Sequence, residues 1–116
     1  MISRELEVAL HRCFVSAHRR RHRVITVDHL VLELLSEPSV ASYLTSRSVD
    51  AEALRLTAAA KVAKVERAAA SDTEFSSLPT AEFQRVIQRA ILAMQTNGRI
   101  EVSVADMLEA ALDVGA

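Results

Sequence analysis

Glycine and proline are scarce in this chain, with two of each in 116 residues. Hairpin-rich folds need many turn residues that accept positive φ or fix φ, so the shortage disfavours a β architecture and favours helices on short connections. The glycines, Gly98 and Gly115, also lack the setting of a phosphate-cradling loop or a dinucleotide fingerprint, which need several glycines in a fixed pattern. No strand–turn–helix nucleophile elbow is present either. Tryptophan is absent, and Tyr43, Phe14, Phe75 and Phe83 are the whole aromatic complement, so the core is read as aliphatic. The single Cys13 cannot form an internal disulfide, which fits a reducing compartment; it is read as a small buried side chain. No stretch approaches the roughly 18 apolar residues of a membrane span. The opening MISRELEVAL carries early acids and does not read as a signal peptide. A cytoplasmic, non-membrane protein without catalytic machinery of its own is expected.

What is present is helical periodicity. The size is that of one domain, half of its residues are hydrophobic and the net charge is −1. Ile2, Leu6, Ala9, Leu10, Cys13, Phe14 and Ala17 recur at three- and four-residue steps, which predicts a helix from Ser3 to about Arg21. Thr26 caps a second helix with Leu30, Val31, Leu34 and Leu35 on its apolar side. A short third helix carries Val40, Tyr43 and Leu44, and Asp50 caps a fourth through Leu54, Leu56, Val62 and Val65. Residues 68–79 read as a linker. A fifth helix runs from Ala81 to about Thr96 and ends on Asn97-Gly98, and Ser103 with Asp106 starts a sixth in a capping box.

The halves repeat. Shifting Leu6 onto Phe83 also brings Leu10 onto Ile87, Cys13 onto Ala90, Ile25 onto Val102, Thr26 onto Ser103 and Leu30 onto Met107. Apolar positions and a helix cap match together, which indicates an internal duplication packed around one core as a pseudo-twofold pair. The expected organisation is repeat one over 1–67, the linker over 68–79 and a partial second repeat over 80–116.

Two clusters invite chemistry. His11, His18 and His22 fall within about 40° on the predicted first helix. The His18–His22 spacing suits zinc, making these two weak metal candidates, yet the stripe points away from the apolar face and reads as solvated. The run His18-Arg19-Arg20-Arg21-His22-Arg23 could meet phosphates, so a nucleic-acid-binding helical module is one alternative function. Cations at a helix C-terminus also have a dipole explanation, and no aromatic residues interleave the run for base stacking.

The stretch ITVDHLVLELLSEPS from Ile25 to Ser39, with Ser48-Val49-Asp50, closely resembles the N-terminal domain of Clp-type AAA+ unfoldases. So does PTAEFQRVIQRA from Pro79 to Ala90, continuing to Asn97-Gly98-Arg99. The similarity is closest to the ClpA branch and covers nearly the whole chain. It implies an all-α fold of two helical repeats related by pseudo-twofold symmetry. It also implies a non-catalytic domain that docks adaptors and substrates for an ATP-dependent unfoldase. In the ClpA branch the partner is a ClpS-like adaptor. The domain needs no cofactor; ATP, and any peptidase, belong to a parent protein. A stand-alone short protein competing for the same partners is the other alternative.

Two departures from the family pattern follow. The second copy stops at Ala116, after its second helix, whereas the family continues with two more; this predicts exposure around Met107, Leu108 and Leu112, and with it reduced stability or self-association. At the docking face, Asp28 keeps an acid found in the family, Arg23 reverses one, and Thr80 matches a contact threonine. Val24 and Ile25 are added as apolar contacts. Asp28 also suits a helix N-terminus, and Thr80 is also an N-cap. A branch that reads phosphorylated arginine has an acid at the Asp28 position in both copies, where the second copy here has Ala105.

Overall fold

Five short polar side chains set where helices begin. Ser3, Thr26, Asp50, Thr80 and Ser103 are extended, and each accepts a backbone N–H from the first turn that follows it. They open α1 (Arg4–Arg19), α2 (Val27–Leu35), α4 (Ala51–Ala63), α5 (Ala81–Thr96) and α6 (Val104–Val114). The short α3 (Val40–Ser46) follows Pro38 and has no side-chain cap. The computed structural model describes residues 1–115; Ala116, the last position of the expected second copy, lies outside the described residues.

The duplication is visible in three dimensions. The buried residues of α1 are Leu6, Ala9, Cys13 and Ala17; those of α5 are Phe83, Val86, Ala90 and Met94, the same positions under the shift. On α2 and α6, Val27, Leu30, Val31 and Leu34 correspond to Val104, Met107, Leu108 and Ala111, all buried. These side chains form one hydrophobic core, aliphatic apart from Phe83 and the sulfur-bearing Cys13, Met94 and Met107.

Strand pairing repeats the exchange. β1 (Val24–Ile25) lies parallel to β2 (Leu78–Pro79), and Ile2 bridges Val102 in parallel. Each copy's entry segment therefore pairs with the segment before the second helix of the other copy. Thr80 N–H donates to the Ile25 carbonyl at 3.1 Å, and Ser3 N–H, its counterpart, donates to the Val102 carbonyl at 2.9 Å. Pro79 falls between the donors Leu78 and Thr80, so its missing N–H costs the ladder nothing. Residues 68–79 are thus held rather than left as a free tether: Ala68 is buried, and its N–H donates to the Arg21 carbonyl.

Helix ends follow the same plan. After α5, Gly98 N–H donates to the Gln95 carbonyl and Arg99 N–H to that of Met94, a Schellman closure with Gly98 at φ 68°. After α1, Arg21 N–H donates to His18 and His22 N–H to Ala17, with Arg21 at φ 60°. A non-glycine residue thus occupies the left-handed position that Gly98 fills in the second copy. Its guanidinium lies 4.5 Å over the Phe75 ring and donates to the Ala69 and Asp72 carbonyls, which ties the chain to residues 69–75.

This turn corrects the first-helix expectation. α1 ends at Arg19, not Arg21, and the left-handed step swings His22 inward, so His22 does not share a solvent stripe with His11 and His18. The expected exposure around Met107 and Leu108 is also corrected. Both are fully buried and Leu112 is half-buried, because α6 lies against α5, α2 and α3, which cover that face.

Candidate functional site: a depression between two helix N-termini

α2 and α5 start side by side because β1 and β2, which lead into them, are paired. Between the two starts is an open depression of about 190 Å3. Thr26, Val27 and Asp28 form one wall, Thr80 and Glu82 the other, and Val114 with Gly115 the end. Asp28 and Thr80 belong to different copies, and the fold places both on this surface.

Each acid stands two residues after its cap, Asp28 after Thr26 and Glu82 after Thr80, where the positive ends of the helices favour a negative charge. Thr80 Oγ1 accepts from Phe83 N–H at 3.1 Å. Glu82 lies 3.6 Å from Arg85, one turn along its own helix. Asp28 has no ion-pair partner among the described residues. The result is a small acidic cleft with a fixed threonine, suited to hydrogen-bond donors and cations on another protein. The arrangement holds no nucleophile paired with a base.

The other candidates are placed differently. Ile25 is 1 % exposed, and its side chain belongs to the core, so it offers no surface contact. Val24 is exposed on β1. Arg23 turns towards Glu66, at 3.6 Å, and Asp72, at 3.4 Å, and its charge is answered within the chain. Neither Val24 nor Arg23 lines the depression. Glu82 and Val114 were not singled out in the sequence, although the spacing Thr26-Val27-Asp28 recurs as Thr80-Ala81-Glu82.

Below the α2 wall lies a buried histidine pair. Thr26 N–H donates to His29 Nδ1 at 2.9 Å, completing a capping box with histidine in the place of the usual acid. His29 Nε2 is then the protonated nitrogen, and it donates to His22 Nδ1 at 2.8 Å. Burial, then the neighbouring His22 and Arg20, push His29 down to about 4. Burial, Arg20 and Arg67 also lower His22. Both are hydrogen-bonders inside the protein, and among the described residues no group of three metal-ligating side chains gathers around them. Cys13 is buried, and burial pushes its thiol up to about 12.

A helical repeat pair with a shaped, polar surface and a hydrophobic interior defines a binding module. The chain belongs to the Clp repeat (R) N-terminal domain family, whose profile matches residues 1–116. It is 40% identical over 109 residues to a ClpA homolog protein of Fuscovulum blasticum, a match that takes in 93% of this chain and 14% of that protein's length. Among solved structures it is similar to the Hsp104 N-terminal domain from Candida albicans, with a TM-score of 0.81 at 11% identity, covering 97% of this chain and 73% of that one. It is similar also to the ClpV N-domain solved in complex with a VipB peptide, with a TM-score of 0.74 at 18% identity, covering 97% and 68%. The domain is of the Clp N type, with ClpA-like sequence similarity.

Proposed function

We propose that this domain docks adaptors and protein substrates for a Clp-type ATP-dependent unfoldase, and that a ClpS-like adaptor is the partner met at the Asp28–Thr80 depression. One observation carries the reading: two residues far apart in sequence, one from each copy, line a single open acidic cleft. The 40% identity to a ClpA homolog supports a ClpA-type partner, and a peptide-bound ClpV N-domain supports protein segments as the ligand class.

The test is titration calorimetry of the domain with a ClpS-type adaptor. Asp28→Arg places a cation where the partner's donors approach, and about tenfold or greater loss of affinity is expected. Losing the acid at the helix start costs stability only about 0.3–1 kcal/mol, so the melting temperature moves by a few degrees at most. Unaltered affinity for Asp28→Arg and for Thr80→Arg removes the depression from the contact.

A further inference from the structure

A second depression, of about 410 Å3, lies along the outer side of α1, away from the Asp28–Thr80 surface. His11, Arg12, Val15, Arg19 and Arg20 line it, with Glu33 from α2 on the far wall. Three arginines therefore face one glutamate in a chain whose net charge is −1. Arg12 is held in place: its Nε donates to Glu33 at 3.2 Å and its Nη2 to Glu37. Arg19 and Arg20 differ. Both are exposed, and neither has a carboxylate within ion-pair distance among the described residues.

The basic run thus divides. Arg21 and Arg23 are tied to residues 66–75, while Arg19 and Arg20 face a walled cleft with their donors unspent. The C-terminus of α1 favours cations there, but that attraction needs no cleft. At its other end the cleft adjoins an apolar hollow of about 230 Å3, lined by Leu10, His11 and Phe14, with His11 common to both. Phe14 is 42% exposed. The arginine pair stands about 11 Å along the α1 axis from the Leu10–Phe14 hollow and, at about 100° per residue, well round the helix from it, a path of about 18 Å over the surface. An extended chain covers that in five or six residues at about 3.3 Å each.

We infer that the outer face of α1 binds a short acidic segment of a partner protein. An apolar side chain of the segment sits on Leu10 and Phe14, and its carboxylates, five or six residues away, are taken by Arg19 and Arg20. Guanidinium groups fork carboxylates with paired N–H donors, which gives orientation as well as attraction. A nucleic-acid strand fits less well, because no Phe, Tyr or Trp lines the arginine cleft for base stacking. This surface is distinct from the Asp28–Thr80 depression and opposite to it in charge, so the two select different partner chemistry.

The probe is a fluorescein-labelled peptide carrying Leu-Phe, a Ser-Gly-Ser-Gly-Ser spacer and Asp-Asp-Glu, followed by anisotropy. Saturable binding that weakens with salt is expected. Arg19→Glu combined with Arg20→Glu should weaken it about tenfold or more, the milder double alanine variant less, and Phe14→Ser severalfold. Asp28→Arg should leave it unchanged, which separates this result from the fate of the adaptor reading. Circular dichroism melting confirms that each variant is folded. The inference is overturned by absence of saturable binding to the parent domain, by equal binding of the arginine variants, or by equal binding of a peptide with lysines for the acids. Tighter, Arg19- and Arg20-dependent binding of a labelled oligothymidine would overturn it in favour of a nucleic-acid ligand.

Discussion

Lowering the pH from 7.5 to 5.0 should destabilise this domain by about 2 kcal/mol, most of it through His29. The fold accepts only neutral rings at the buried pair. A proton on His29 Nδ1 would face the Thr26 N–H that now donates to it, and a proton on His22 Nδ1 would face the His29 N–H. His29 stands at about 4 in the folded protein against 6.5 ordinarily. Below 6.5 the unfolded chain takes up the proton and the folded chain does not. Stability is therefore complete above that value, falls as pH drops through it, and levels off near 4. Full protonation would cost about 3 kcal/mol, and at pH 5.0 about 2 kcal/mol of this is already lost. The lowered His22 adds to the same trend. Urea unfolding at the two pH values, followed by circular dichroism, measures it. His29→Gln keeps an acceptor for Thr26 N–H, since glutamine serves in capping boxes, and removes the titration. The reasoning fails if the parent loses under about 0.5 kcal/mol over this range, or if the glutamine variant loses as much as the parent.

Other predictions concern packing, backbone and the thiol. Leu30→Ala truncates a fully buried side chain at the centre of the α2 face and should cost about 2–5 kcal/mol in urea unfolding. Ser48 ends α3 at φ 55° and is exposed, so Ser48→Gly should raise stability by about 0.5–1 kcal/mol; a loss of stability would show that its side chain contributes. Cys13, buried and with its thiol pushed up to about 12, should resist a disulfide reagent at pH 8 until denaturant is added.

The caps and the core were legible because both are local. Thr26 and Ser103 sit before apolar periodicity, and a capping side chain reaches only its own first turn. The repeated apolar positions need nothing beyond helical spacing. The end of α1 was not legible. A left-handed turn is announced by glycine at Gly98 but hidden by arginine at Arg21, and one such residue decided whether His22 faced water or the core. The pairing of Val24–Ile25 with Leu78–Pro79 was equally hidden, since a two-residue strand has no period to read and its partner is distant in the chain. That pairing creates the depression by setting the starts of α2 and α5 side by side. Asp28 and Thr80 could thus be proposed from family resemblance, while Glu82 and Val114 emerged only from their packing.

Where the two copies agree, they agree on what the interior requires; several of their differences lie at the ends of helices. Leu6 and Phe83, Leu30 and Met107, and Val31 and Leu108 all answer one need, apolar volume at a shared core. The divergent pairs answer no such need. Asp28 has Ala105 as its counterpart, so only one of the two helix starts carries that acid. Arg21 has Gly98 and clamps residues 69–75 instead of closing a simple turn. His29 has Asp106: both complete a capping box, but the histidine alone links the cap to a second buried ring and so to pH. A duplicated domain with identical ends would present two equivalent docking sites. This one presents an acidic cleft at one junction, while at the pseudo-equivalent junction Ser39 Oγ donates to Glu5 at 2.6 Å and engages that acid within the chain. The symmetry therefore belongs to the core, and what makes one junction's surface unlike the other's comes from the positions at which the copies have parted.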